Sequence, residues 1–515
     1  MPVYKVSVKW GKQKFDNVEV DSDEPPVVLK GQLFALSGVP PERQKVMTKG
    51  VTLKDDEWGK FQIKDKAVLL MMGSADELPQ APTQPTQFME DMTDAQLASA
   101  FDIPGGLVNL GNTCYMNATV QCLRTIPELR NSLAKLSHGP LDPPVIPSAL
   151  RDTYTLMDRA VEGFRPMLLL RTLHTAFPQF SEKGENGVFI QQDANECWTQ
   201  FVRAMQEVIN PVTMDSNGQL TETQRSMTGD MGFVDQFLGG RLQSTLKCEE
   251  QPEEPETSSE ERFLQLSCFI SKDVKYMHTG LKNRLQEHIT KRSPSLDRDA
   301  VYIKTSLIDR LPGYLSVQMV RFFYKEKDNI NAKILKDVKF PLSLDVFDMC
   351  TRELQQKLTP MRERMRINDE NEIEKSKVAK VAGAQAAEES AEGKDEDNEP
   401  YWFEGDIGSN NSGFYELRAV LTHQGRSSNS GHYVGWAKRK GTHWFKFDDA
   451  DVTSVHEDDV LKLSGGGDWH TAYVLLYGPR RLPKGAGLTE KSTESGATEA
   501  TSTEGAASGE TPMET

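Results

Sequence analysis

Hydrophobic positions fall into several distinct rhythms along the chain. Near the N-terminus VYKVSVKW alternates, with Tyr4, Val6, Val8 and Trp10 on one face and Val3, Lys5, Ser7 and Lys9 on the other. That period of two predicts a strand. A turn at Gly11 and a second strand over about Phe15 to Val20 follow. PPVVLKGQLFALSG, with proline at its start and glycine past its end, predicts a helix. QKVMTKGVTL then reads as strand, turn and short strand, and KAVLLMM as a last strand. Residues 1–75 therefore predict a small mixed domain.

Later segments change period. Ala194, Cys197, Trp198, Phe201, Met205 and Val208 form one apolar helical stripe, opened by Asp193 with Glu196 in capping-box spacing. Ala118, Cys122 and Leu123 recur at helical spacing after Cys114, and Pro127 limits that segment. Asn112 or Thr113 then caps the helix and places Cys114 in its first turn. Alternation returns from His432, after a Gly/Ser-rich loop that ends at Gly431, and again in HWFKFDDADV, around a Lys440-Gly441-Thr442 turn. Paired as a hairpin, these two segments bring Asp448 or Asp449 within reach of His432.

Composition divides the chain. At 515 residues, two or more domains are expected. Residues 76–100 carry three prolines and read as a linker with a short helix over Thr93 to Ala100. The body spans 101–482, and 483–515 reads as a disordered Gly/Ser/Thr/Ala/Glu tail. The net charge of −16 is concentrated: 249–262 holds seven acids and one arginine, and 368–400 eleven acids and four lysines. Those two stretches read as disordered insertions or long loops. The folded body is then near neutral, which gives no sign of a nucleic-acid surface. No apolar run reaches the length of a membrane span, and MPVYKVSVKW lacks a signal-peptide core.

Six cysteines at 114, 122, 197, 248, 268 and 350 include no C-x-x-C pair. That spacing argues against disulfide and zinc frameworks and for a reducing compartment, the cytoplasm or the nucleus. Cys122 and Cys197 sit on apolar helix faces and read as core. Cys114 differs, because a helix N-terminus stabilises a thiolate. A thiolate nucleophile gains from a base and a group that orients it. His432, where a Gly/Ser-rich loop meets a strand, fits the base. His423 and His443 read as loop histidines making backbone hydrogen bonds.

GLVNLGNTCYMNATVQ, QQDANE, LPGYLSVQMVRF, KDVKFPLSLDV, SGHYV and WFKFDD occur in this order. Over about residues 104–478 the chain thereby resembles the ubiquitin-specific protease family of papain-like cysteine peptidases. Residues 1–75 resemble ubiquitin itself, but run on into MGSADELPQAP in place of a terminal Gly-Gly. This pairing resembles the proteasome-associated branch of the family. The fold implied is α+β: a ubiquitin-like β-grasp domain, then a protease domain of fingers, palm and thumb.

The resemblance implies catalytic Cys114, His432 and Asp448, with Asn109 at the oxyanion. It implies a thiol-dependent deubiquitinase without cofactor that acts on ubiquitin and polyubiquitinated proteins. Single Cys248 and Cys268 depart from the family's paired finger cysteines, so no metal is expected. Gln191, Gln192, Asp193, Ser427, Ser428, Gly431 and Tyr433 are candidates for the passage that takes the ubiquitin tail; helix capping and an ordinary hairpin are the plainer roles. The Gly/Ser loop before His432 and the stretch Lys333–Lys339 are candidate blocking loops. Aligned on ubiquitin, Met47, Leu69 and Met71 mark a docking patch for the 26S proteasome regulatory particle, with Met47 and Leu69 expected exposed. A catalytically dead ubiquitin-binding adaptor and a peptidase for another ubiquitin-like modifier are the competing classes.

Overall fold

The computed structural model describes residues 3–55, 57–75, 103–137, 143–159, 163–215, 220–223, 231–325, 330–381, 398–427, 430–467 and 469–487. The short helix expected over Thr93 to Ala100, and all but the start of the C-terminal tail, lie outside these residues. Two compact units divide between Asp91 and Met92.

In the first unit, β1 (Val3–Trp10), β2 (Gln13–Asp21), β3 (Lys45–Thr48), β4 (Val51–Thr52) and β5 (Val68–Met72) make one sheet in the order β2-β1-β5-β3-β4. Helix α1 (Pro26–Ser37) supplies Leu29 and Leu33 to its core and ends at Gly38 in the left-handed region. This is a ubiquitin-like β-grasp.

The last strand corrects one expectation. Parallel pairing with β1 sets Val8 against Leu69 and Trp10 against Met71. Leu69 and Met71 therefore point inward, at 0% and 1% exposure. Val68, Leu70 and Met72 face out, and Met47, opposite Leu70, is half-buried. The outward apolar patch is thus Met47 with Leu70 and Met72.

The second unit joins a helical half to a sheet half. α2 (Cys114–Leu123), α3 (Pro127–Lys135), α4 (Ile146–Met157), α5 (Met167–Ala176) and α6 (Ala194–Val208) pack around one core that includes Cys122, Cys197, Trp198 and Phe201. All ten residues of α2 are buried, so this helix runs through the core. A four-stranded antiparallel sheet projects from β6 (Gly240–Cys248), β7 (Thr257–Phe263), β9 (Gln286–Ser293) and β10 (Arg298–Arg310), ordered β9-β10-β6-β7. The main sheet runs β8 (Leu266–Phe269), β11 (Leu315–Val320), β16 (Thr471–Pro479), β12 (Phe414–Ser427), β13 (Ser430–Lys440), β14 (His443–Asp448), β15 (Asp451–His456), with Ser343–Asp345 also pairing β12.

Both acidic stretches are more ordered than their composition suggests. Thr257–Arg262 belongs to β7, an exposed edge strand on which Glu261 pairs across the sheet with Lys304. Glu254 accepts from Ser293, Ser295 and Tyr302, tying the turn before β7 to β9 and β10. The second stretch begins inside α7 (Arg352–Val381), while 382–397 lies outside the described residues.

Candidate active site

The turn before α2 is built on Asn109. Its Oδ1 accepts from the backbone N–H groups of Gly111 (3.0 Å) and Thr113 (3.1 Å), and Thr113 Oγ1 accepts from Leu110 N–H. Thr113 takes the cap position, and its side chain is spent on Leu110 without bonding into the helix. Cys114 opens the helix, 2% exposed.

Opposite stands the hairpin of β13 and β14, turning through the expected Lys440–Thr442 segment. Its register, with Gly435 against Phe447, brings the two far ends together. His432 Nε2 lies 2.6 Å from Asp448 Oδ1. Cys114 is the largest cause of the raised pKa of the same imidazole. The thiol, imidazole and carboxyl thus meet from α2, β13 and β14.

Close backbone approach makes this meeting possible. A Cβ at Gly435 would come within 3.2 Å of the Ala118 carbonyl oxygen in α2. Gly431, just before His432, has φ +123°, and a Cβ there would lie 2.0 Å from the Gln424 carbonyl oxygen. Only glycine fits such a backbone.

Electrostatics single out His432 among its neighbours. The Cys114 hydrogen bond, with Asp448 adding to it, pushes its pKa up to about 9 against the effect of burial. Burial alone would raise the Asp448 carboxyl, but donation from Lys446 and His432 outweighs it and holds the carboxyl below the usual range. His470 stacks edge-on to His432 at 6.1 Å, and burial, then Lys446 and His432, drive it down to about 4. His423 is also pushed down, to about 3, by burial and Lys333. His423 is a fully buried strand residue whose Nε2 faces the Ser430 carbonyl, whereas a loop position was expected. One cationic imidazole is thus set beside two neutral ones.

Asp449, an alternative to Asp448 beside His432 in the sequence reading, has a different place. It sits at φ +55°, accepts from Asn109 Nδ2 (2.9 Å) and Asn117 Nδ2 (2.8 Å), and through its carbonyl from Leu107 N–H. It bolts the turn before Cys114 to the end of β14. The doubled acid in FDD was the available signal: one faces the imidazole, the other the asparagines.

The remaining candidates scatter. Asp193 caps α6, accepting from Asn195 N–H and Glu196 N–H, and also takes the Tyr473 hydroxyl at 2.7 Å. The Nε2 atoms of Gln191 and Gln192 are buried without a hydrogen-bond partner. Tyr433 is 1% exposed, its ring packed on His423, so it belongs to the core. The Gly/Ser segment is largely ladder, with Ser427 paired to Ser430. Ser428 lies outside the described residues. In the second candidate loop, Lys333 ends a short ribbon and donates to the His423 carbonyl at 2.6 Å. Among the described residues no three His, Cys, Asp or Glu side chains converge as a metal site, and no helix is long and apolar enough to cross a membrane.

Comparison with known proteins gives the chain's family and fold. The family model described as ubiquitin carboxyl-terminal hydrolase matches residues 105–477. Ubiquitin carboxyl-terminal hydrolase 6 of Arabidopsis thaliana is 41% identical over 491 residues, covering 92% of this chain and 98% of the relative. Ubiquitin carboxyl-terminal hydrolase 14 of Caenorhabditis elegans is 39% identical over 494 residues, covering 93% and 94%. Among solved structures, the SAGA Ubp8/Sgf11/Sus1/Sgf73 DUB module bound to ubiquitin aldehyde has a TM-score of 0.50 at 20% identity, with 75% of each chain covered. That likeness is one of fold.

Proposed function

Because the chain belongs to the ubiquitin carboxyl-terminal hydrolase family, whose members are thiol-dependent deubiquitinating hydrolases, we propose that Cys114, His432 and Asp448 carry its hydrolysis of the isopeptide bond after the last glycine of ubiquitin. The observation that carries this reading is the placement of His432 between the Cys114 thiol and Asp448 Oδ1.

With Nε2 turned to Asp448, Nδ1 is the ring nitrogen left for the thiol. A proton held on the imidazole leaves a thiolate to attack the glycine carbonyl. His432 then gives that proton to the departing lysine amine, and afterwards takes one from the water that opens the thioester. The Asn109 amide has two N–H donors, of which Asp449 takes one. The second is available to the oxyanion, together with the Cys114 backbone N–H. Gln192, Asp193, Ser427, Ser428 and Gly431 stand as candidates along the passage for the ubiquitin tail. The unpartnered Gln192 amide favours a role in binding that tail.

The β-grasp unit would supply the address, through Met47, Leu70 and Met72, to a ubiquitin-fold receptor on the proteasome regulatory particle. Trimming of ubiquitin from proteasome-bound substrates, in the cytoplasm or nucleus, is the resulting role. Movement of the hairpin before His432 would then release activity on docking.

The test is hydrolysis of ubiquitin–lysine conjugates, with and without proteasome, by the wild type and Cys114→Ala. Turnover that survives the substitution overturns the assignment. Full activity of the isolated chain overturns the release on docking. A ubiquitin probe that forms no adduct at Cys114 even beside proteasome favours an adaptor.

A further inference from the structure

Helix α1 of the β-grasp unit gives Leu29 and Leu33 to the core, on the side of the sheet that Leu69 and Met71 face. Its other side looks away from the domain, opposite the face that carries Leu70 and Met72. Solvent-facing sides of helices are ordinarily polar. Here seven residues of α1 are exposed, and only Gln32 among them is polar. Val27, Val28, Phe34 and Leu36 stand at 40–51% exposure.

Gly31 lies at the centre of that side. Its neighbours three and four positions away on the helix surface are Val27, Val28, Phe34 and Ala35, all apolar. A Cβ at Gly31 would meet nothing within 4 Å. The glycine therefore floors an open hollow ringed by four apolar side chains, the shape that receives one knob of a facing helix. Glycine weakens a helix interior, and nothing in the unit fills the space it leaves.

Charge marks one end of this side. Asp21, Asp23 and Glu24 precede α1, and the Trp58 indole, donating to the Glu24 carbonyl at 2.8 Å, brings Glu57 beside them. These four acids outnumber Lys54 and Lys60 of the same loop, while Asp55 is taken by Lys30. We propose that the outer side of α1 docks one short amphipathic helix of a partner protein, with a bulky apolar side chain in the Gly31 hollow and lysines or arginines in its last turn. Antiparallel packing sets that last turn beside the acids, and cations there also suit the partner's own helix dipole. α1 has 12 residues and is about 18 Å long. Its outer side covers about 200 Å², well under the roughly 800 Å² per partner of a stable dimer. A second copy of the chain is therefore a poor occupant. Residues 76–91 hold Asp76, Glu77, Glu90 and Asp91 and no lysine or arginine, the wrong charge for this end. The inference rests neither on the reaction assigned above nor on docking through Met47, Leu70 and Met72.

The test is fluorescence anisotropy of the full chain with a labelled, stapled helical peptide. The peptide carries leucines in one stripe, a phenylalanine at its middle and lysines in its last turn. Saturable binding is expected, weakened about tenfold or more by Gly31→Gln, which fills the hollow, and by Phe34→Glu. Glutamine favours a helix over glycine, so the melting temperature of Gly31→Gln should not fall. Val68→Ser, on the outward face of the sheet, should leave binding unchanged. A peptide with glutamates in place of the lysines should bind more weakly, and the difference should shrink as salt rises. No saturable binding, equal loss in Val68→Ser, or undiminished binding of the glutamate peptide overturns the proposal. So does tighter binding of a peptide of residues 76–91. A dimer of the chain, or sedimentation with phosphatidylcholine vesicles, that Gly31→Gln abolishes overturns it too.

Discussion

Lys446 and Asp448 share one face of β14, and Nζ of Lys446 sits 2.8 Å from Oδ2 of Asp448. The other oxygen, Oδ1, faces His432. The lysine therefore both orients the carboxyl and offsets part of the charge that the imidazole feels. Lys446→Met should strengthen the hold of Asp448 on the His432 proton. The alkaline limb of kcat/KM against pH should move upward by about half a unit, a small shift because Lys446 is partly solvated. A limb that stays in place would confine Lys446 to packing.

Asp448→Asn keeps the shape of the site and removes the charge behind His432. On the precedent of the serine-protease triad, kcat should fall by about 10²- to 10⁴-fold. Ubiquitin affinity, read on the inactive Cys114→Ala background, should change little. Equal losses in both would place Asp448 in binding.

His432 also links stability to pH. Its folded pKa of about 9 lies above the ordinary 6.5. The stabilisation is therefore complete below about pH 6.5 and is lost as pH rises through about 9. The melting temperature of the wild type should drop across that window more than that of His432→Gln. Parallel curves would show that the raised pKa does not contribute.

Asp449 couples a backbone requirement to two side-chain bonds. Asp449→Ala loses both amide partners and places alanine at φ +55°. A loss of about 2–4 kcal/mol in unfolding free energy is expected, with slower turnover as Asn109 loosens. Asp449→Asn tolerates the left-handed backbone and keeps one acceptor, so it should lie between. Chemical denaturation of the three proteins orders them.

In the β-grasp unit, neighbouring leucines should behave oppositely. Leu69→Ala opens a cavity in the core and should cost about 2–5 kcal/mol. Leu70→Ala, on the outward face, should cost under about 1 kcal/mol while reducing capture of proteasome. Unfolding of this unit within the full chain, and co-sedimentation with proteasome, read the two effects.

These contrasts mark where the sequence was legible. Two apolar-rich segments around the Lys440-Gly441-Thr442 turn were enough to pair two strands and bring His432 to Asp448, although Tyr433 to Ala437 are buried without alternation. VLLMM carries no alternation, so nothing local says which residues face in; Val8 of β1 decides by its register with Leu69. Thr257–Phe263 is an exposed edge strand with no apolar face to declare it. The start of the second acidic stretch lacks apolar periodicity, yet Arg366 with Glu363 and Glu370 gives that part of α7 the i,i+3 and i,i+4 pairs that favour helix. The place of Asp449 was hidden for another reason: its partners Asn109 and Asn117 lie more than 330 positions away.

Gly431 and Gly435 bear on how such a chain can diversify over evolution. At Gly431 a methyl group would collide with the Gln424 carbonyl, and at Gly435 it would press tightly on the Ala118 carbonyl. Gly431 holds the strand that carries the base to a single residue type at one position, and Gly435 leaves little room at a second. Insertions outward of the Ser427–Ser430 pair leave that constraint untouched. A lineage could lengthen or recolour that tip for new regulators while the catalytic strand beneath it stays unchanged.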